Sequence, residues 1–266
     1  MKRIFIIAAF ALTAVLAKAQ EEVKVKRKHK IEIGSEGVSV RIGVNDSLEA
    51  KRKSKYPRVY YGINFEHFDL GMSKYHNGSN FDFPDNYKFL DHEQWKTHTF
   101  GFDALQFGVR FNPNFKIMIA AGLDWNHIRL KRKDITILAD NPVLDYVVDP
   151  TLDLKKNRFS SRYLRLPLYF EYRSYLSNDK KFTLVGGPEV GFLIDGKLKQ
   201  KSQNGDKTKI KDNFNFEKFR YGANIRMGYG AAGLFFKYYF NDIFARNQAP
   251  GLEDYKNLSF GLTFGF

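Results

Sequence analysis

The chain has 266 residues, of which 43 are Lys or Arg, 29 are Asp or Glu, and none is cysteine. Disulfide stapling and thiol chemistry are thereby excluded, and the length suits one domain of barrel size. After the first residues no run of about 18 apolar residues occurs, which excludes a helical span but not a membrane barrel, whose strands show lipid only alternate side chains.

Residues 1–19 read as a secretory signal peptide. Lys2 and Arg3 open it, Ile4 to Leu16 form the apolar stretch, and Ala17-Lys18-Ala19 supplies small-x-small before Gln20. Taking Lys2, Arg3 and Lys18 from the 43 basic residues leaves 40 against 29 acidic ones, a net charge of +11. Residues 20–57 form a basic periplasmic segment. In it Val23, Val25, Ile31 and Ile33, then Val38, Val40, Ile42 and Val44, alternate around Gly34-Ser35-Glu36-Gly37, which predicts a small hairpin. A linker through Pro57 follows, with the run Lys51-Arg52-Lys53.

Residues 58–266 predict an all-β, eight-stranded antiparallel transmembrane barrel. Strands are expected near Arg58–Leu70, Thr99–Phe111, Lys116–Leu130, Ser160–Tyr175, Phe182–Gly196, Lys218–Tyr229, Gly233–Asn241 and Leu258–Phe266. Each alternates large apolar residues with small or polar ones and is long enough to cross a bilayer when tilted. In the second strand Phe100 and Phe102 are out of phase with Leu105, Phe107 and Val109, which predicts a bulge. The connections alternate short and long without exception. In an even-stranded barrel with both termini in the periplasm, short turns fall inside and long loops outside. A soluble sandwich has no reason to sort its loops this way.

The last strand sets Leu258, Phe260, Leu262, Phe264 and Phe266 against Ser259, Gly261, Thr263 and Gly265. A terminal strand ending in Phe resembles the insertion signal of bacterial outer-membrane barrels, with Phe260, Leu262, Phe264 and Phe266 as its apolar side. Three segments, Tyr163 to Arg173, Phe219 to Gly230 and Leu258 to Phe266, resemble the PorT-like family of small outer-membrane β-barrel proteins. The resemblance implies the outer membrane of a Gram-negative bacterium, a link to secretion, and no assigned chemistry.

The polar faces of these strands carry Glu66, Arg110, Asp124, Arg165, Glu171, Arg173, Glu189, Asp195, Arg220, Arg226 and Lys237. The interior of an eight-stranded barrel is only wide enough for its own side chains. Charges there must pair to offset desolvation, so a cross-barrel ion network with a filled, non-conducting lumen is expected. Gly228-Tyr229-Gly230-Ala231-Ala232-Gly233 matches a dinucleotide fingerprint by letter, but an aromatic strand follows where a helix is needed, so the glycines read as a hairpin turn. The first long loop holds His76, His92 and His98 among acids without metal-ligand spacing. No enzyme, metal or cofactor is therefore expected. A lipid-acting enzyme using loop His, Ser and Asp residues and a soluble lipocalin-like barrel are the alternatives.

Basic residues cluster at Lys24–Lys30 with Lys51–Lys55, and at Lys199, Lys201, Lys207, Lys209 and Lys211. The second cluster would face outer-membrane lipid and lipopolysaccharide. The other expected partners are the barrel-assembly machinery and an envelope protein bound through residues 20–57 or the long loops. Nucleic acid is not among them.

Overall fold

The computed structural model describes residues 29–34, 37–42, 56–175 and 181–266. The expected signal peptide, residues 45–55 of the expected linker and the turn at 176–180 lie outside the described residues. The first strands are β1 (His29–Gly34), β2 (Gly37–Ile42), β3 (Arg58–His76), β4 (His98–Arg110) and β5 (Phe115–Arg129). Two short strands follow, β6 (Ile135–Ile137) and β7 (Tyr146–Val148), and then the two longest, β8 (Leu154–Tyr175) and β9 (Lys181–Ser202). The chain closes with β10 (Lys207–Asp212), β11 (Phe219–Tyr229), β12 (Ala232–Tyr239) and β13 (Lys256–Phe264). Among the described residues the only helical turns are the 3-10 segments Asp85–Leu90 and Gln94–Lys96.

All pairings are antiparallel. β1 and β2 form the expected hairpin, with Gly34 opposite Gly37, and β2 adds to β3 at Val38↔Phe65. The remaining large strands pair in the order β3-β4-β5-β8-β9-β11-β12-β13. β13 then pairs back onto β3, from Lys256↔His76 to Phe264↔Phe68, while β3 pairs on its other side with β4. β10 is an outlying strand on β9, and β6 and β7 form a separate hairpin. Gly228 to Gly233 is a strand–turn–strand, as expected: Tyr229 faces Ala232 across a two-residue turn, in which Gly230 has φ 67°. A positive φ there suits glycine because it has no Cβ to clash.

Alternation assigns the two faces of this sheet. Tyr61, Leu105, Ile119, Leu164, Phe170, Tyr221, Ile225, Phe236 and Phe264 are exposed on one face, where hydrocarbon would cover them. Arg165, Glu171 and Arg226 are buried on the other. A soluble ligand-binding barrel has the opposite polarity.

The long connections are not independent polar loops. Their apolar residues join the upper ends of the strands in one buried cluster that includes Phe83, Leu90, Ile135, Ile137, Phe159 and Leu198. Phe159 stacks on Phe216 at 4.7 Å and meets Phe214 edge-on at 5.3 Å, and Phe216 stacks on Phe244 at 5.3 Å. Asn215 pins three connections together, its side-chain N–H group donating to Asn141 O (3.0 Å), Pro142 O (3.2 Å) and Gln248 Oε1 (3.3 Å). Burying this apolar surface makes the loops a folded cap over one end of the sheet.

Two predictions concern the cap. Phe159→Ala removes the ring that two aromatic contacts share, those with Phe214 and Phe216, and should cost about 3–5 kcal/mol; limited proteolysis should then cut within 131–153 and 203–218 faster. His92 is buried in the cap, edge-on to Tyr75 (5.6 Å) and Phe83 (6.0 Å). Burial holds its pKa below the ordinary value, against the pull of the nearby Asp91 and with the push of Lys131 and Lys74. The unfolded chain therefore binds the proton first, so cap stability is level above the unfolded value of about 6.5 and falls as pH drops below it. Loop proteolysis compared at pH 7.5 and 5.5 should show that fall, and His92→Leu should flatten it.

Candidate functional site

The buried face brings together ionic side chains from distant parts of the chain. Asp69 (β3) accepts from Arg226 Nε on β11 at 2.9 Å and from Arg165 Nη1 on β8 at 2.8 Å. Asp103 (β4) accepts from Arg165 Nε at 2.9 Å and from the Tyr169 hydroxyl at 3.0 Å, and it pairs with His67 Nδ1 at 2.9 Å. Asp124 (β5) accepts from Lys237 Nζ on β12 at 2.9 Å and from Arg220. Glu189 (β9) accepts from the Tyr239 hydroxyl and from Asn224 Nδ2 at 3.1 Å. The Ser259 hydroxyl of β13 bonds that of Ser73 at 2.9 Å, and Ser73 donates to Asn126.

The four carboxylates Asp69, Asp103, Asp124 and Glu189 thus face the four cations Arg165, Arg220, Arg226 and Lys237. Arg220 also lies between the rings of Tyr163 and Tyr239, at 3.8 and 4.1 Å. A cation sandwiched by aromatic faces keeps part of the stabilisation it loses with water. Nearer the short-turn end, Glu171 pairs with Lys116 Nζ at 2.7 Å and with Arg173, while Glu66 accepts from Asn64 and from Gln106 at 3.0 Å. His67, Asp103 and Tyr169 are residue types used in acid–base chemistry, and each is buried.

Of the residues expected on this face, Glu66, Asp124, Arg165, Glu171, Arg173, Glu189, Arg220, Arg226 and Lys237 are buried there. Arg110 is half-buried at the end of β4. Asp195 is on the opposite wall, paired with Arg162 at 2.7 Å. The register slips between Arg162↔Asp195 and Tyr163↔Leu193, so the odd residues that point inward below this bulge point outward above it. Asp69, Asp103, His67 and Lys116 belong to the buried set and were not expected in it. In β3 the register shifts twice around Glu66, with His67 at φ 52°, and this flips the phase before Asp69. The flip is visible in the sequence, where Val59, Tyr61, Ile63 and Phe65 give way to Phe68, Leu70 and Met72. In β4 the shift at Asp103/Leu105 is the expected bulge.

The terminal apolar set divides. Phe260, Leu262 and Phe264 are exposed on the apolar face, whereas Phe266 is buried. Gly265, at φ 82°, turns the chain inward while its N–H donates to Ala231 O and its carbonyl accepts from His67 N. The Phe266 ring then packs with Met118, Ala120, Tyr169 and Val185, at the short-turn end of the ionic face.

Single changes should reveal the cost of breaking this network. Arg165→Met leaves Asp103 and Asp69 short of a buried partner and should destabilise the fold by about 3–5 kcal/mol. Arg165→Met combined with Asp103→Leu should cost less than the sum of the two single changes. Urea unfolding in detergent, followed by gel mobility with and without heating, measures both.

No curated protein matches the chain. The family model described as an outer membrane protein beta-barrel domain matches residues 58–245, from the first residue of β3 to beyond the end of β12. With an apolar outer face, an ionic inner one and this match over most of its length, the chain belongs to the outer membrane protein beta-barrel domain family.

Proposed function

We propose that the chain is a closed, eight-stranded outer-membrane barrel with a filled, non-conducting lumen, acting without catalysis as a binding or assembly component of the envelope. Pairing of β3 with both β4 and β13 supports closure. The observation that carries the reading is the complete burial of Arg165 and Arg226 among carboxylates at the centre of the lumen. An ion would have to break those pairs to pass, and the desolvated charges would lose more than the ion gained.

The folded cap supports a binding role, because it presents one shaped surface, with Trp95 and Phe81 exposed, in place of four separate loops. The likeness of residues 163–173, 219–230 and 258–266 to PorT-like proteins supports an envelope-assembly or secretion setting. Short turns and both barrel termini then face the periplasm, and the cap faces outward.

Conductance separates this reading from a pore. The purified chain in planar bilayers should give no unitary steps above the lipid baseline, and reproducible steps would reject the filled lumen. Membrane fractions should release the chain only with detergent.

A further inference from the structure

We propose that the outer wall of β5, β8, β9 and β10 binds the phosphorylated headgroup of an acylated saccharide lipid, with an acyl chain lying on the aromatic surface beneath. The inference rests on the outer-membrane reading above and adds to it a site and a ligand class.

The register stacks like charge on like charge. Lys197 faces Lys211, Lys199 faces Lys209 and Lys201 faces Lys207 across β9 and β10. On the other side of β9, Arg158 faces Lys199 and Lys156 faces Lys201, and Arg158 in turn faces Arg129 of β5. Residues directly opposite in an antiparallel pair share a face, and like charges so placed are destabilising. The wall is therefore one basic surface.

The nearest carboxylates already have partners. Asp195 pairs with Arg162, Glu93 with Lys96 and, at 3.9 Å, with Arg129 at the edge of the wall, and Asp212 accepts the backbone N–H groups of Asp140 and Phe214. Among the described residues, Lys156, Arg158, Lys197, Lys199 and Lys209 have no carboxylate within ion-pair distance. Arg158 lowers the pKa of Lys199, with further contributions from lost hydration, Lys209, Lys207 and Lys197. These side chains stand beyond the apolar belt, on strand ends whose other face packs into the cap through Phe159, Leu198 and Ile210.

Directly below the charges is a groove of about 500 Å³, with Leu70, Phe100 and Trp125 in its apolar part and His127, Arg158 and Lys197 in its polar part. Arg158 Nε and His127 Nδ1 are buried there without a hydrogen-bond partner. A phosphate would give both a partner and offset the lysine repulsion, and guanidinium–phosphate bonds are among the strong charge-assisted kind. Size selects the headgroup. Three strand spacings by four residues make a face about 14 by 13 Å, wider than one phosphate needs. A sugar headgroup bearing two phosphates covers it, and the aromatic floor takes the acyl chain.

Calorimetric titration of the purified full chain in zwitterionic detergent tests this. The probes are bisphosphorylated lipid A, the same lipid after dephosphorylation, a single-phosphate glycerophospholipid and inorganic phosphate. Bisphosphorylated lipid A should bind best. Arg158→Gln with Lys199→Gln and Lys209→Gln should weaken it by roughly tenfold or more, since each basic residue near an anionic lipid surface contributes measurably. Lys88→Gln with Lys131→Gln, elsewhere on the loops, should leave it unchanged. Equal binding of the dephosphorylated lipid, or no loss in the triple variant, would overturn the proposal. Equal affinity for inorganic phosphate or the single-phosphate lipid would overturn the assignment to a saccharide headgroup. A chain that fails to insert into lipid vesicles fails the membrane reading itself, whereas one that inserts but does not discriminate fails this inference alone.

Discussion

Arg165 reaches from β8 to carboxylates on β3 and β4, and Arg226 reaches from β11 to the same Asp69. Lys237 carries the linkage from β12 to β5, Glu189 brings in β9, and the Ser73–Ser259 pair brings in β13. Each strand on the pairing path from β3 to β13 thus contributes a polar side chain to one contiguous set. Once buried, none of these charges can be left without its partner, because an unpaired ion in that space costs several kcal/mol after relaxation. The network therefore fixes strand order and register more strictly than apolar contacts could. A one-residue slip in β8 or β11 would place Arg165 or Arg226 against lipid and bring an apolar neighbour such as Leu164 or Ile225 against the carboxylates.

That constraint explains the bulges. A strand in strict alternation keeps one set of residues inward along its whole length, yet β3, β4, β8 and β9 each meet partners whose ionic groups stand at different levels. The irregularities around Glu66 in β3, at Asp103/Leu105 in β4 and at Arg162/Tyr163 against β9 re-aim the side chains locally. The first brings Asp69 under Arg165 and Arg226, and the second leaves Asp103 inward beside His67 and Tyr169.

Much of this was legible in the sequence, and the reason is period. Leu164, Arg165, Leu166 and Pro167, or Asn224, Ile225, Arg226 and Met227, state which side chain points where as soon as a strand is assumed. Phase flips leave a fainter mark than the period itself. Phe100 and Phe102 revealed one in β4, while the equivalent change between Phe65 and Phe68 hid Asp69. Strand ends were harder, since Lys197-Leu198-Lys199-Gln200-Lys201 alternates as well as any membrane strand yet reads as a polar loop by composition. The cap was not legible. Phe159 comes from the end of β8 and Phe214, Phe216 and Phe244 from two separate connections, and nothing local says that they meet. Phe266 followed alternation on paper and departs from it because Gly265 turns the last peptide inward.

The extension of the strands past the belt has its own logic. β8 and β9 are each 22 residues long, about 70 Å of extended chain, whereas a tilted strand needs only about 9–11 residues to cross hydrocarbon. Along each strand the polarity inverts. In β8 Leu164 points out and Arg165 in, whereas closer to the cap Arg158 points out and Phe159 in. In β9 Phe192 points out and Glu189 in, then Lys199 out and Leu198 in. In β5 Leu123 points out and Asp124 in, then Arg129 out and Ile128 in. The inversion occurs at the same cross-strand level in all three, near Trp125, Arg162 and Asp195, which face one another in turn. A strand in one solvent has no reason to change sides. One that leaves lipid for water does, because the surface that had to be oily must become charged, and the surface that held ions can now bury aromatic rings. On the proposed outer-membrane reading, the row through Trp125 and Arg162 is the level at which the surroundings change, with the basic wall of β9 and β10 immediately outside the hydrocarbon.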